Sequence, residues 1–356
     1  MNARLHQISE VTETLKRNAA GLGFQHLGIT PAVAPPGYHP LLEWIASGHA
    51  ADMDWIARRK DAYHHPDGVL PNTRSVIVAA MNYHNQSPQP ETPRIARYAW
   101  GSEDYHTLLR RRLKELAMLL RTTWPDERTR VVVDTAPLLE RDFARLAGIG
   151  WVGKNTMLIS RSIGSWFFLG AILTTAELTY DQPFEGDYCG TCTRCLQACP
   201  TDAFPEPHVL DSNRCISYLT IERRDKSVDE VLRSGIGDWL FGCDICQEVC
   251  PWNRFAPNHS DTAFEPRDDL ITPDLLQLLS MDEDGFQRQF SGTPLERTGR
   301  DTIVRNAAIV AGNQRCREAI PQLTRLLEDV SDVVREAAGW AMEQIPATAP
   351  PQSRKT

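Results

Sequence analysis

Eight of the nine cysteines in this 356-residue chain lie between Cys189 and Cys250, and their spacing constrains the fold more than any other feature. Cys189, Cys192, Cys195 and Cys199-Pro200 form the run C-x2-C-x2-C-x3-C-P. In bacterial ferredoxins the first three thiolates of such a run grip one iron–sulfur cubane and the fourth reaches to a second. Cys243, Cys246 and Cys250-Pro251 give C-x2-C-x3-C-P, one cysteine short of a full set, and Cys215, alone between the runs, can supply it. Crossing the runs in ferredoxin fashion predicts two 4Fe–4S clusters. One takes Cys189, Cys192, Cys195 and Cys250; the other takes Cys199, Cys215, Cys243 and Cys246. A pair of four-cysteine zinc sites is the plain alternative, but zinc knuckles favour two well-separated C-x2-C pairs. Cys316 has no cysteine near it in sequence and reads as a small core residue.

Two one-electron centres form a conduit and break no substrate bond by themselves. The chain is also far longer than a ferredoxin, so the segment before the cysteines is expected to hold a redox partner or the substrate. With 42% hydrophobic residues the chain can bury more than one core. The opening MNARLHQISEV has neither a basic and apolar leader nor a twin arginine, which predicts a cytoplasmic protein with reduced thiols. The most apolar stretch, Trp166–Leu173, is too short to cross a bilayer and reads as a buried strand. A formal net charge of −8 argues against indiscriminate nucleic-acid coating, though not against a local basic patch.

The pattern along the chain predicts an α/β domain over residues 1–178. Residues 9–24 have amphipathic-helix spacing, and helical or loop sequence runs on to about Pro71. Apolar runs at Ser75–Ala80, Arg130–Asp134 and Ser165–Thr175 read as strands, with a helix over Tyr105–Thr122. Residues 179–257 are expected to form a ferredoxin-like domain organised by its clusters. Residues 258–346 read as a broken helical segment followed by amphipathic helices over Asp301–Ala311, Arg317–Glu328 and Asp332–Ile345, a HEAT-like repeat. Their expected apolar face includes Leu323, Leu326, Leu327, Val330, Val333, Val334, Ala337, Ala338 and Ala341. The tail 347–356 is expected to be disordered.

Within the first domain, Asp134 ends the run VVVD, the kind of position at which open α/β sheets present ligand-binding groups. It reads equally as a general acid, if burial raises its pKa, or as the cap of the turn Thr135-Ala136-Pro137. Gly148, Gly150 and Gly153 satisfy G-x-G-x-x-G, but they follow a helical stretch, Leu138–Ala147, and precede a strand-like run, the reverse of a dinucleotide fingerprint. The loop Gly148–Thr156 is therefore expected to press its backbone against a flat or polyamide-bearing ligand, with Lys154 and Asn155 as polar contacts. Arg97 to Gly101 and Asp104 to His106 gather aromatic, basic and imidazole groups before a helix. They read either as a ligand pocket or as ordinary capping by Asp104 with aromatic packing.

The runs RYAWGSEDYH, VDTAPLLERDFARLAGIGWVGKNT, CGTCTRCLQACPTDAF, RCISYLTIE and GCDICQEVCPWN closely resemble the epoxyqueuosine reductase family over roughly residues 1–345. The resemblance implies a cobalamin-dependent oxidoreductase with two 4Fe–4S clusters and a HEAT-like C-terminal repeat. Its implied substrate is epoxyqueuosine at the wobble position of tRNAs for Asp, Asn, His and Tyr. It further implies Asp134 as proton donor, and Arg59, Tyr98, His106, Lys154, Asn155, Thr156, Ser217 and Asp244 around the cobalamin. A D-x-H-x2-G signature is absent, because His106 is followed by Thr107, Leu108 and Leu109; this fits a cobalamin with no protein histidine on cobalt. Candidate tRNA contacts are Arg223, Arg224 and Lys226, with Arg110, Arg111, Arg112 and Lys114, and Arg315, Arg317 and Arg325, as further basic groups, any of which can also be a solvated face. A monomer fed by a flavodoxin or ferredoxin is expected. Two rivals remain: a reductive dehalogenase, against which the missing twin-arginine leader and the helical repeat count, and a two-cluster electron carrier, which would bind no corrinoid.

Overall fold

The computed structural model describes residues 2–85, 92–259 and 261–346; the tail expected to be disordered lies outside the described residues. Two compact units are formed, each from several stretches of chain. The first gathers the described residues of Met1–Gln86, Trp100–Asn213 and Asp244–Pro266, the second those of Ser87–Ala99, Arg214–Cys243 and Arg267–Thr356. The cut expected near residue 178 therefore coincides with no unit boundary. Residues 179–213 belong with the sheet-bearing unit.

The core of the first unit is a four-stranded sheet. The strands Ser75–Asn82 and Phe167–Thr174 are central and almost wholly buried, flanked by His26–Pro31 and Thr129–Val132 at the edges. Both central strands read as continuous apolar runs because both faces are covered. On one face Val76, Val78, Ala80, Ala171 and Leu173 pack with Phe143 and Ala144 of the helix Glu140–Leu146. The helix Tyr105–Thr123 buries Leu108, Leu109, Leu113, Leu116 and Leu120 and also packs on Phe167–Thr174. All three pairings in this sheet are antiparallel. The open α/β arrangement invoked for Asp134 is thus replaced by an antiparallel sheet, and the edge strand His26–Pro31 falls in a stretch expected to be helix or loop.

The second unit centres on the helix Arg300–Gln314, buried from Thr302 to Gly312 and packed against the helix Asp332–Gln344. Expected to be amphipathic, it is instead enclosed, and its buried Arg305 and Asn306 find backbone partners. The guanidinium of Arg305, fully buried, donates to the carbonyls of Leu219 (2.7 Å) and Lys226 (3.0 Å) and to that of Arg223. Asn306 donates to Thr220 O (2.9 Å) and Leu240 O (2.8 Å). Burial is the main reason the Arg305 guanidinium is brought down to about 10. In the following helices Leu323, Leu326, Val334, Ala337, Ala338 and Ala341 are buried as expected, whereas Leu327 and Val330 are exposed, the latter at 93%. Cys316 is half-buried, its sulfur 3.6 Å from Glu318 Oε2, and is not a core residue.

Candidate active site and cluster loops

Two residues past the strand Thr129–Val132, the backbone turns left-handed at Asp134, with φ of 60°. The Asp134 N–H donates to Glu140 Oε1 at 3.0 Å, and its carboxyl Oδ2 lies 3.1 Å from Nε2 of the buried His106. His106 Nδ1 lies 2.8 Å from Asp104 Oδ1, which also caps the helix Tyr105–Thr123 by accepting the His106 N–H at 3.0 Å. The capping reading of Asp104 therefore holds, and the His106 ring is held between Asp104 and Asp134. The next residue is gripped from outside: Arg59 donates to Thr135 O at 3.2 and 3.3 Å, and Arg110 to Thr135 Oγ1 at 3.0 Å.

The Asp134 side chain is 63% exposed, where the sequence reading expected partial burial. The more enclosed carboxyl of the group belongs to Glu140, half-buried at the first position of the helix Glu140–Leu146. Burial, and next the charge of Asp134, push it up to about 7. Burial likewise raises the Tyr63 phenol, which feels Arg59, Asp134 and Glu140. Glu140 and Tyr63 were not singled out from sequence. An acidic first residue is ordinary in a helix, so nothing but its distance of six residues from Asp134 marked Glu140.

The G-x-G-x-x-G loop turns out to face the chain itself. A Cβ on Gly150 would stand 2.0 Å from Ile159 O, because Gly150 leads into the hairpin Trp151–Val152 with Leu158–Ile159. At its turn Thr156 is left-handed, and Lys154 and Asn155 point to the cysteine loops. Lys154 Nζ donates to Gly190 O (2.7 Å) and Cys192 O (3.1 Å), and Asn155 Nδ2 to Cys246 O (3.3 Å). These contacts hold the cysteine loops from below, a task the sequence did not reveal.

Cys189, Cys192, Cys195 and Cys250 line one cavity of about 240 Å³ together with Lys154, Asn155, Tyr188 and Trp252. This is the first of the two ligand sets expected from spacing. Burial first, and then the neighbouring cysteines, push the thiols of Cys195 and Cys250 up, a rise that a bound cation would offset. Beside it the indole N–H of the buried Trp151 reaches the Cys189 sulfur and opposes the rise that burial causes there, as a donor to a cluster ligand would. The donor set fits an iron–sulfur cluster. Of the second set, Cys199 and Cys246 belong to the first unit, Cys215 and Cys243 to the second.

The remaining candidates divide in the same way. Asp244, 2% exposed, heads the short helix Ile245–Glu248 in the first unit. In the second, Tyr98 packs on Phe241 and Ser217 is half-buried in the helix Ile216–Ile221. Arg223 Nε donates to Ser227 O at 2.7 Å, while Arg224 and Lys226 are exposed. Arg111 pairs with Glu103 at 2.7 Å, and Arg112 donates to Leu22 O at 2.9 Å and pairs with Asp261. Arg110 to Arg112 are thus engaged within the unit itself.

Residues 188–253 match the family described as a 4Fe-4S double cluster binding domain, and residues 64–135 that described as epoxyqueuosine reductase QueG, DUF1730. The epoxyqueuosine reductase of Xanthomonas campestris pv. campestris is 42% identical over 340 residues, covering 93% of this chain and 94% of its own. The chain belongs to the epoxyqueuosine reductase family. The Escherichia coli epoxyqueuosine reductase is 36% identical across 95% of this chain and 90% of its own. A crystal structure of epoxyqueuosine reductase with a tRNA-Tyr epoxyqueuosine-modified stem loop superposes with TM-score 0.87 at 31% identity, covering 94% of this chain and 90% of that one. A structure of the Bacillus subtilis epoxyqueuosine reductase, with its catalytic aspartate loop swung out of the active site, gives TM-score 0.86 at 31% identity, with the same coverage of 94% and 90%. As an epoxyqueuosine reductase the chain is an oxidoreductase of queuosine biosynthesis, acting in tRNA modification.

Proposed function

We propose that this chain reduces epoxyqueuosine to queuosine at the wobble position of tRNAs for Asp, Asn, His and Tyr, using two 4Fe–4S clusters and cobalamin, with Asp134 as proton donor. The observation that carries the reading is the Asp134 carboxyl, open to solvent and resting on a buried histidine, in the same unit as the cluster cavity. Converting the epoxide to an alkene takes two electrons and two protons and releases water. Cluster chemistry supplies electrons singly, and cobalamin, when bound, would supply a low-valent cobalt able to store two of them for the substrate.

Both ring nitrogens of His106 are engaged, by Asp104 and Asp134, so His106 would border a bound cobalamin as a polar contact. In the first unit Arg59, His106, Lys154, Asn155, Thr156 and Asp244 would hold the corrin. Asp134 hands its proton to the alkoxide oxygen, and the His106 ring stabilises the carboxylate left behind. Arg59 and Arg110 keep the Thr135 side of the loop in place. Arg223, Arg224 and Lys226 would meet tRNA phosphates. The wobble base leaves its loop more cheaply than it would leave a duplex.

No helix among the described residues is long and apolar enough to cross a membrane. Eight ligand thiols need a reducing compartment, which favours the cytoplasm, with a monomer fed by a flavodoxin or ferredoxin. The test is anaerobic reconstitution with iron, sulfide and cobalamin, followed by turnover on tRNA carrying epoxyqueuosine. Asp134→Asn is expected to keep cluster absorption and corrin binding and to lose at least a hundredfold in kcat. Protein that loads clusters but binds no corrin would overturn the cobalamin mechanism and leave an electron carrier.

A further inference from the structure

The donor Asp134 stands at a left-handed backbone position, which aspartate tolerates better than most residues but which remains unfavourable for any side chain with a Cβ. A non-glycine residue at φ of 60° costs about 1 kcal/mol or more, so another contact must hold it there. The sheet does not, because its last registered pair on this strand is Val132 with Ala171. Arg59 and Arg110 grip Thr135, one residue on, and not the Asp134 backbone itself. Glu140 alone among these neighbours takes the Asp134 N–H, at 3.0 Å. It is also the member fixed to a rigid element, since Phe143 and Ala144 of its helix are buried in the core beneath the sheet.

We propose that Glu140 is the positioning residue of the proton donor: its carboxyl, by accepting the Asp134 N–H, latches the loop with the Asp134 carboxyl on His106, and its release lets the loop open. The inference rests on the reading of Asp134 as donor and adds to it the device that holds the donor in place. A latch made of one hydrogen bond suits a loop that must close over one substrate and release the next. Its acceptor must be an oxygen at the reach of a glutamate side chain; charge is secondary.

The prediction is tested on the reconstituted holoenzyme with Glu140→Ala, Glu140→Asp and Glu140→Gln. Alanine removes the acceptor, aspartate withdraws it by one methylene, and glutamine keeps an oxygen in reach. Alanine and aspartate are expected to lower kcat tenfold or more with KM for an epoxyqueuosine-bearing stem loop within twofold, and glutamine to stay within threefold of the natural enzyme. Amide hydrogen exchange over residues 134–139 should rise at least fivefold in the first two variants and not in the third, with Phe167–Thr174 unchanged. Unchanged exchange in Glu140→Ala and Glu140→Asp, or faster exchange spreading across the sheet, would overturn the latch. Should Glu140→Ala fail to fold, the contrast between aspartate and glutamine decides. Asp134→Ala separates the two readings: full turnover in that variant would sink the donor, whereas the exchange response reports the latch independently of catalysis.

Discussion

Glu140 carries a second consequence, in stability. Its carboxyl moves from an ordinary value of 4.5 to about 7, through burial first and the charge of Asp134 next, opposed by the Asp134 N–H, Arg141 and His106. A carboxyl that holds its proton more tightly when folded costs nothing below its unfolded pKa. The cost grows as pH rises through the interval and is complete above the folded value. The interval here corresponds to roughly 3 kcal/mol, an order of magnitude for a half-buried group. Glu140→Gln keeps the acceptor oxygen and removes the ionisation. It is expected to match the natural chain in urea midpoint near pH 4 and to exceed it increasingly up to pH 8; equal midpoints at pH 8 would show that the folded chain carries the charge at no cost. Asp134 itself is the reverse case, an exposed carboxyl whose position, set by its backbone, matters more than its burial.

At the scale of elements, the loops that hold the cysteines are braced by the hairpin Trp151–Val152 with Leu158–Ile159, and its tightest point is Gly150. A methyl group there would meet Ile159 O, a backbone atom that cannot move without the strand. Gly150→Ala is expected to cost about 1–3 kcal/mol and, by shifting Lys154 and Asn155 off the carbonyls of Gly190, Cys192 and Cys246, to hasten oxygen-driven loss of the cluster absorption. Retained melting temperature and retained cluster lifetime would contradict the bracing role. Such a contact was beyond reading from sequence, because a glycine pressed on its own chain and one pressed on a ligand share one motif. The central strands and the helix Tyr105–Thr123 were legible, the strands through unbroken apolar runs and the helix through its period and the Asp104 cap. Strand direction was not, since burial on both faces gives the same runs in parallel and antiparallel sheets. The eight cysteines were legible because cluster ligation fixes their spacing locally. Arg305 and Asn306 were not, since their partners are carbonyls some 66 to 86 residues away in the chain.

The whole molecule carries a net charge of −8 and, under the proposed reading, must take up a polyanion. Long-range attraction is then weak, and binding depends on short-range contacts from a few cations held in shape. In the second unit the turn with Arg223, Arg224 and Lys226 meets this need. Arg305 beneath it donates to the carbonyls of Arg223 and Lys226, fixing the backbone, while Arg223 is partly engaged with Ser227 O. Under that reading Arg224 and Lys226, both exposed, would carry most of the phosphate contact, with Glu222, 3.9 Å from Arg224, tempering it. Each phosphate contact to single-stranded RNA contributes a slope of about 0.7 in log affinity against log salt. The double variant Arg224→Ala with Lys226→Ala is therefore expected to raise KM for tRNA about tenfold, to flatten the salt dependence by about 1.4, and to leave kcat within twofold. Loss of kcat with an unchanged salt slope would place these residues away from the phosphates, and the acidic surface would then have to be bridged from another part of the chain.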